Sequence, residues 1–427
     1  MILSILLFTE GQTKMKKYVI VGCGSRGIGA YAIPLIKDYE DCAQLCGVYD
    51  INRKRAEVVS KKVGKDIPVF DDFDKMLEEA KPDTVIVTSK DCTHDYYIIK
   101  AMEFGCDVIS EKPVTTDFEK ANALINAKRR TGKELTVTFN LRYSPFCARV
   151  KELVASGAIG TILSVHFEWM LDTKHGADYF RRWHRERENS GSLLVHKSTH
   201  HFDYVNWLLE EEPVAVNAFG TKRFYGHTRE ERAERCLECP YKKQCEYPLD
   251  ITKGEYKDLY LDCESADGYF RDKCIFSDEI NIEDIISVNV QYSGGAVMSY
   301  SLTAHSPYEG YHLVLNGTKG RMEVDKLSTE LPGYNEQSQE EIRVYNRLGE
   351  VITYSIPKRK SEGHGGSDDI MRDKIFRGTE IRPELKQAAS LRAGLMSIGI
   401  GMTANVSMKE NRRVFISEFY KEIDDIK

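Results

Sequence analysis

The chain has 427 residues, 41% hydrophobic and 30% charged, and its 60 basic and 66 acidic side chains give a formal net charge of −6. This length predicts two or three domains with a sizeable core, and the near balance of charge excludes nucleic acid and anionic membrane as expected partners. Eleven cysteines without a secretory signal point to a reducing compartment, the cytoplasm, where thiols serve in cores or on metals rather than in disulfides.

In chain order, Met1–Phe8 is apolar but too short to span a bilayer, with neither a basic flank nor a cleavage site, so residues 1–14 are expected to be a disordered extension. The apolar run Tyr18–Val21 then ends in Gly22-x-Gly24-x-x-Gly27 and opens into a helix-like segment. Strand, phosphate-binding turn and helix start are the signature of a dinucleotide site. Gly22 permits the turn, Gly24 lets backbone approach a pyrophosphate, Gly27 lets helix pack on strand, and Ser25 and Arg26 lie in the same loop. The next strand, Gln44–Tyr49, closes on Asp50, a carboxylate placed to take ribose hydroxyls, which favours NAD. Arg53 leaves NADP open. Strands at Ile67–Phe70, Thr84–Ser89, Asp107–Ser110 and Leu135–Phe139 alternate with helices at Asp74–Ala80, His94–Gly105 and Phe118–Thr131, which predicts a doubly wound parallel sheet over residues 15–140. Its strand ends carry the glycine loop, Asp50, Thr88 to His94 and Glu111-Lys112-Pro113, so all four converge on one crevice.

The order GxGxxG, strand-end Asp, Thr and His before a helix, EKP, then Phe139-Asn140-Leu141-Arg142-Tyr143 resembles the Gfo/Idh/MocA family of nicotinamide-dependent oxidoreductases, over Tyr18 to about Gly320. The resemblance implies that Lys112 is catalytic or orienting, that Glu111 contacts the cofactor, that the Lys112–Pro113 peptide is cis, and that the substrate is a sugar, polyol or glycoside oxidised at a secondary alcohol.

Residues 141–427 are expected to form a second α/β domain with an open, mostly antiparallel sheet that holds substrate and makes a homodimer or homotetramer. Ser144–Gly157 reads as a helix, Thr161–Met170 as a strand, and Asp172–Asn189 as an irregular segment whose Tyr179, Arg182 and Trp183 suit a polyhydroxylated ring, as does Arg142. Ser190–Leu209 reads as one helix capped by Ser190 or Ser192, with His196, His200, Asp203 and Trp207 on one face and Lys197, His201 and Tyr204 beside it. The family motif G-G-x-L-x-D-x-G-x-H-x-x-D ends on His200 and Asp203, which makes His200 the candidate general base. Where the family has its first Asp this chain has His196, so a histidine relay is the alternative acid–base pair. Zinc at His196 and His200 lacks the glutamate of an HExxH helix.

After a strand at Pro213–Phe224 comes an insert, residues 225–279, that the family pattern does not require. Cys236, Cys239, Cys245 and Cys274 have spacings that one structural zinc could gather, with an iron–sulfur cluster as the runner-up and Cys263 as a spare. Four strands between Ile286 and Val324 and a hairpin at Glu341–Ser355 follow. Gly363–Asp368 presents His364 to a sugar hydroxyl or phosphate ahead of a helix at Ile370–Phe376, and Pro383–Val406 reads as a long helix with a stripe of small residues. Two other functions remain open: a redox-assisted glycoside lyase or hydrolase that retains NAD, and a non-catalytic NAD-binding sensor.

Overall fold

The structure is a computed structural model that describes residues 15–328, 339–357 and 366–426. The expected N-terminal extension and His364 lie outside the described residues. In chain order the strands are β1 (Lys16–Val21), β2 (Ala43–Tyr49), β3 (Val69–Phe70), β4 (Thr84–Val87), β5 (Asp107–Ser110), β6 (Leu135–Val137), β7 (Ile162–Asp172), β8 (Pro213–Thr221), β9 (Ile285–Tyr292), β10 (Val297–Ser306), β11 (Gly310–Gly317), β12 (Gly320–Leu327), β13 (Gln339–Asn346), β14 (Val351–Pro357), β15 (Ala389–Ser390) and β16 (Val414–Phe415).

The first sheet has the order β15-β6-β5-β4-β1-β2-β3 and is parallel except where β15 joins β6. The second sheet runs β14-β13-β12-β11-β7-β10-β9-β8-β16 and is antiparallel except for β7 against β10. A Rossmann-like domain and an α/β domain with an open sheet are thus both present. The first is not closed at residue 140, however, because β15 adds an edge strand from the far end of the chain and Phe376 joins its core beside Tyr18 and Tyr39.

Buried strands that read as continuous apolar runs, such as Val85–Val87, have helices on both sides, as a parallel sheet requires. One apolar core runs from Val19 and Val85 through Val165 and Leu313 to Leu395, so the domains share it. A second core covers the other face of the first sheet and takes in Leu259 from the insert.

Three expected elements differ. Asp172–Asn189 is largely helical: Asp172 caps a helix at Thr173–Arg181 by accepting from His175 N, and a short helix follows at Arg187–Ser190. The single helix expected over Ser190–Leu209 is two, Leu193–His196, where Ser192 accepts from Leu194 N, and Thr199–Leu209. His196 therefore ends one helix while His200 begins the next, and they do not share a continuous face. The last long helix begins at Leu391 rather than Pro383 and is capped by Ser390. Its small residues position the site, since a Cβ on Gly401 would stand 2.5 Å from Leu194 O. Only glycine lets this helix press so closely on the turn that carries His196.

Candidate functional site

At the nucleotide end the three glycines differ in the room around them. Gly22 has φ +92°, and a Cβ there would lie 2.6 Å from the Thr88 carbonyl and Ser89 nitrogen. A Cβ on Gly27 would strike Gly22 O at 2.2 Å, whereas one on Gly24 would meet only the Tyr260 hydroxyl, at 3.8 Å. Space is therefore kept at Gly24 on the open side of the loop, where a pyrophosphate requires it. Thr88 Oγ1 donates to Gly22 O at 2.6 Å and fastens the loop to β4.

Asp50 accepts from Cys23 N at 2.7 Å and Asn52 N at 2.8 Å, and pairs with Arg55 at 3.2 Å. Burial lifts its carboxyl above the ordinary value, against Arg55 and the two amides. Arg53, a candidate for the cofactor, is exposed and paired with Glu57 and Asp71 instead. The arginine at this site is Arg55, which the sequence reading missed. Glu111 accepts from Arg26 Nε and Tyr31 Oη, each at 2.7 Å. Burial works to raise the Glu111 carboxyl, but Arg26 and Tyr31 hold it below its ordinary value. Arg26 also pairs with Asp368, which Asn140 Nδ2 reaches at 2.9 Å. His94 is buried, with Nδ1 2.7 Å from Pro113 O and Nε2 3.0 Å from Ser89 O, so it braces two strand-end loops rather than facing a ligand.

Beyond the cis Lys112–Pro113 peptide the crevice becomes a cluster of proton-active groups. Lys112 Nζ lies 3.4 Å from His196 Nε2 and donates to His196 O at 3.1 Å. His196 Nδ1 sits 2.5 Å from Asp91 Oδ2. Burial lowers Lys112 to about 8, opposed by Asp91 and Glu111. The Asp91 carboxyl is pushed well up and the His196 imidazole well down, both chiefly by burial, so the pair shares one proton across the short contact. The His184 ring is 4.0 Å from that of His196 and stacks on Trp183 at 3.6 Å, and burial with Arg182 keeps it neutral. Tyr179 packs edge-on to His196 at 5.4 Å, and Arg182 lies over Tyr179 at 5.6 Å. Ligand atoms of Asp91, His184 and His196 fall within 4.8 Å of one another. A cation there would face the Lys112 amine, which suits a proton relay better than a metal centre.

Other expected substrate residues are placed elsewhere. Arg142 and Asp203 form a buried two-pronged ion pair, at 2.7 and 2.6 Å, and Asp203 is 1% exposed. Both oxygens are occupied, so these residues tie the helix Thr199–Leu209 to the turn after β6 rather than meeting a substrate. His201 is buried, stacked on Trp169 at 3.8 Å with Nδ1 2.7 Å from Tyr300 Oη. Lys197 Nζ lies 5.0 Å above the Trp169 ring. His200 is half-buried, edge-on to Phe139 at 5.9 Å.

The insert reaches both ends of the crevice. Tyr260 Oη lies 3.1 Å from Ser25 Oγ and 3.5 Å from Ser25 N, over the glycine loop. Around it, Arg55 donates to Leu259 O, Asn52 to Cys263 O, and Lys62 pairs with Asp258. Toward the substrate end Arg271 pairs with Asp178 at 2.6 Å, and Asp178 pairs with Arg182 at 3.0 Å. Cys263 belongs to the part over the nucleotide end, while Cys236, Cys239, Cys245 and Cys274 line a separate pocket. Among the described residues no helix is long and apolar enough to cross a membrane.

Residues 16–139 match the profile described as oxidoreductase family, NAD-binding Rossmann fold, and residues 151–416 match the profile of its C-terminal alpha/beta domain. The chain is 37% identical to YteT of Bacillus subtilis (strain 168) over 95% of its own length and 99% of that protein. It is 30% identical to the glucose-6-phosphate 3-dehydrogenase of the same organism, over 46% of this chain and 55% of that protein. A levoglucosan dehydrogenase solved with NADH and levoglucosan superposes with a TM-score of 0.66 at 19% identity, covering 94% of this chain and 99% of that one.

Proposed function

The chain belongs to the Gfo/Idh/MocA family of oxidoreductases, and from that premise we propose that it oxidises a secondary alcohol of a sugar, polyol or glycoside with NAD as the hydride acceptor. The observation that carries this reading is the Lys112–His196–Asp91 chain at the carboxyl ends of the parallel strands, beside a glycine loop shaped for a dinucleotide. Gly22 to Gly27, Asp50 and Glu111 would hold the dinucleotide, which when bound accepts hydride from the carbinol carbon. Lys112 Nζ donates to the substrate oxygen and fixes its position. His196 Nε2 takes the hydroxyl proton, and Asp91 steadies the resulting charge through Nδ1. Tyr179, Trp183 and Arg182 offer flat faces and donors to a ring and keep water from the relay. His200, nearer Phe139, is the competing base. The outer face of the second sheet, where Phe219, Ile285 and Val297 are exposed among Ser287, Asn289 and Gln291, is the surface we assign to contact between copies of the chain.

The test is NADH formation by the purified chain across a panel of polyols, aldoses and glycosides. A substrate-dependent signal that Lys112→Met abolishes supports the assignment, and reduction that survives this change refutes it. A second reading, elimination or hydrolysis of a glycoside with NAD retained, is favoured by the position of Tyr260 over the glycine loop. Turnover without added NAD, with the dinucleotide found in the purified protein, distinguishes it.

A further inference from the structure

The four cysteines of the insert are brought to one pocket by backbone rather than by chance packing. A short antiparallel bridge joins Arg235 to Lys273, with Cys236 N donating to Asp272 O at 2.8 Å and Cys274 N to Glu234 O at 2.9 Å. Cys236 and Cys274 thereby lie on a diagonal across one face of the bridge although 38 positions separate them. Two tight turns, closed by Cys239 N to Cys236 O and Cys245 N to Tyr241 O, swing the remaining thiols toward the same space. All four line that pocket, and no disulfide joins them.

The size of the group decides what it fits. A tetrahedral zinc with Zn–S near 2.3 Å holds its thiolates about 4 Å apart. The described residues do contain a group of three ligand atoms within 4.8 Å of one another, at Asp91, His184 and His196, but no three of these thiols form one. The single zinc expected from the spacing is therefore too small for the arrangement. A cubane cluster, in which each thiolate binds a different iron, needs the wider spread. Donors are also aimed at the sulfurs: Arg181 Nη1 lies 3.1 Å from Cys236 Sγ, Arg229 Nη2 3.0 Å from Cys245 Sγ, and Tyr247 N 3.4 Å from the same sulfur. Four thiolates around one ion would carry two net negative charges, as they would around an oxidised cubane, and two guanidiniums offset either. Spacing, not charge, selects the cluster.

We propose that Cys236, Cys239, Cys245 and Cys274 bind one [4Fe–4S] cluster that fastens the insert to the substrate-facing segment. The attachment is explicit. Arg181 is one residue before Arg182, and Arg185 Nη1 donates to Cys274 O at 3.3 Å. Arg235, next to the first thiolate, pairs with Glu264 and Asp272, and so links the pocket to the part of the insert that carries Tyr260.

The full chain, purified without oxygen and, in parallel, reconstituted with ferrous iron and sulfide, is assayed for iron, acid-labile sulfide and zinc. About four irons and four sulfides per chain, with visible absorption bleached by dithionite, are expected. Cys239→Ser should lose that signature. Arg229→Gln leaves all four thiolates in place, so it should keep the iron while lowering the reduction potential, because a donor to the sulfur is gone. One zinc per chain without iron overturns the proposal in favour of a mononuclear site. Failure to take up iron and sulfide in a folded chain, or a cluster that Cys239→Ser leaves intact, overturns it as well.

Discussion

The two ends of the crevice are built on different scales. At the nucleotide end a single loop supplies most of the architecture, and Gly22 and Gly27 act through close contact with one another and with Thr88. At the other end the groups of the proposed relay come from distant stretches, Asp91 and His196 being 105 positions apart and Lys112 and His196 84 apart. A loop motif defines the first end. Strand-end loops and a helix turn, brought together by packing, define the second.

The largest expected effects fall at the substrate end. Lys112→Met and His196→Ala should each lower turnover by roughly 10²–10⁴ while NAD affinity, read by fluorescence titration, stays near wild type. A large loss in His200→Ala with an unaffected His196→Ala would move the base to His200. Because Lys112 titrates near about 8, turnover that needs its ammonium should fall as pH rises through that value and level off below it. Asp91→Asn removes the carboxylate that favours the ammonium, so the alkaline limb should shift to lower pH. An unmoved limb would detach Asp91 from the relay.

Asp203→Ala addresses a residue that the motif places with the substrate. It leaves Arg142 buried without its partner, so about 3–5 kcal/mol of stability should be lost in urea unfolding. A stable variant with failed catalysis would return Asp203 to the chemistry. At the nucleotide end the effects are smaller. Asp50→Ala should weaken NAD by about 1–3 kcal/mol and NADP by less, in parallel titrations. Equal losses would mean that Asp50 merely orders the loop through Cys23 and Asn52. Tyr260→Phe, which deletes only a hydroxyl beside Ser25, should cost about 0.5–1.5 kcal/mol of NAD affinity.

What was legible in the sequence follows the same division. The parallel sheet, the glycine loop and Asp50 were readable because local pattern determines them. Arg53 was singled out over Arg55 because sequence distance from Asp50 says nothing about which way a helix turns its side chains, and the buried one is two positions further on. Periodicity ran one helix through Ser190–Leu209, but Lys197 and Ser198 interrupt it between the helices Leu193–His196 and Thr199–Leu209, so the motif's spacing did not translate into a shared face. Asp91 and His184 carried no local signal, since each gains meaning only when the fold brings it to His196. The cysteine spacing singled out four thiols that share a pocket of the insert but not how they are arranged there, which depends on the bridge at Arg235 and Lys273.

Tyr260 and Arg271 belong to one segment, eleven positions apart, yet one touches the loop meant for the dinucleotide and the other, through Asp178, reaches Arg182. A body in contact with both half-sites couples them only as far as either ligand shifts it. If a sugar held by Arg182 draws the segment down and so tightens the dinucleotide by some factor, the dinucleotide must tighten the sugar by that same factor.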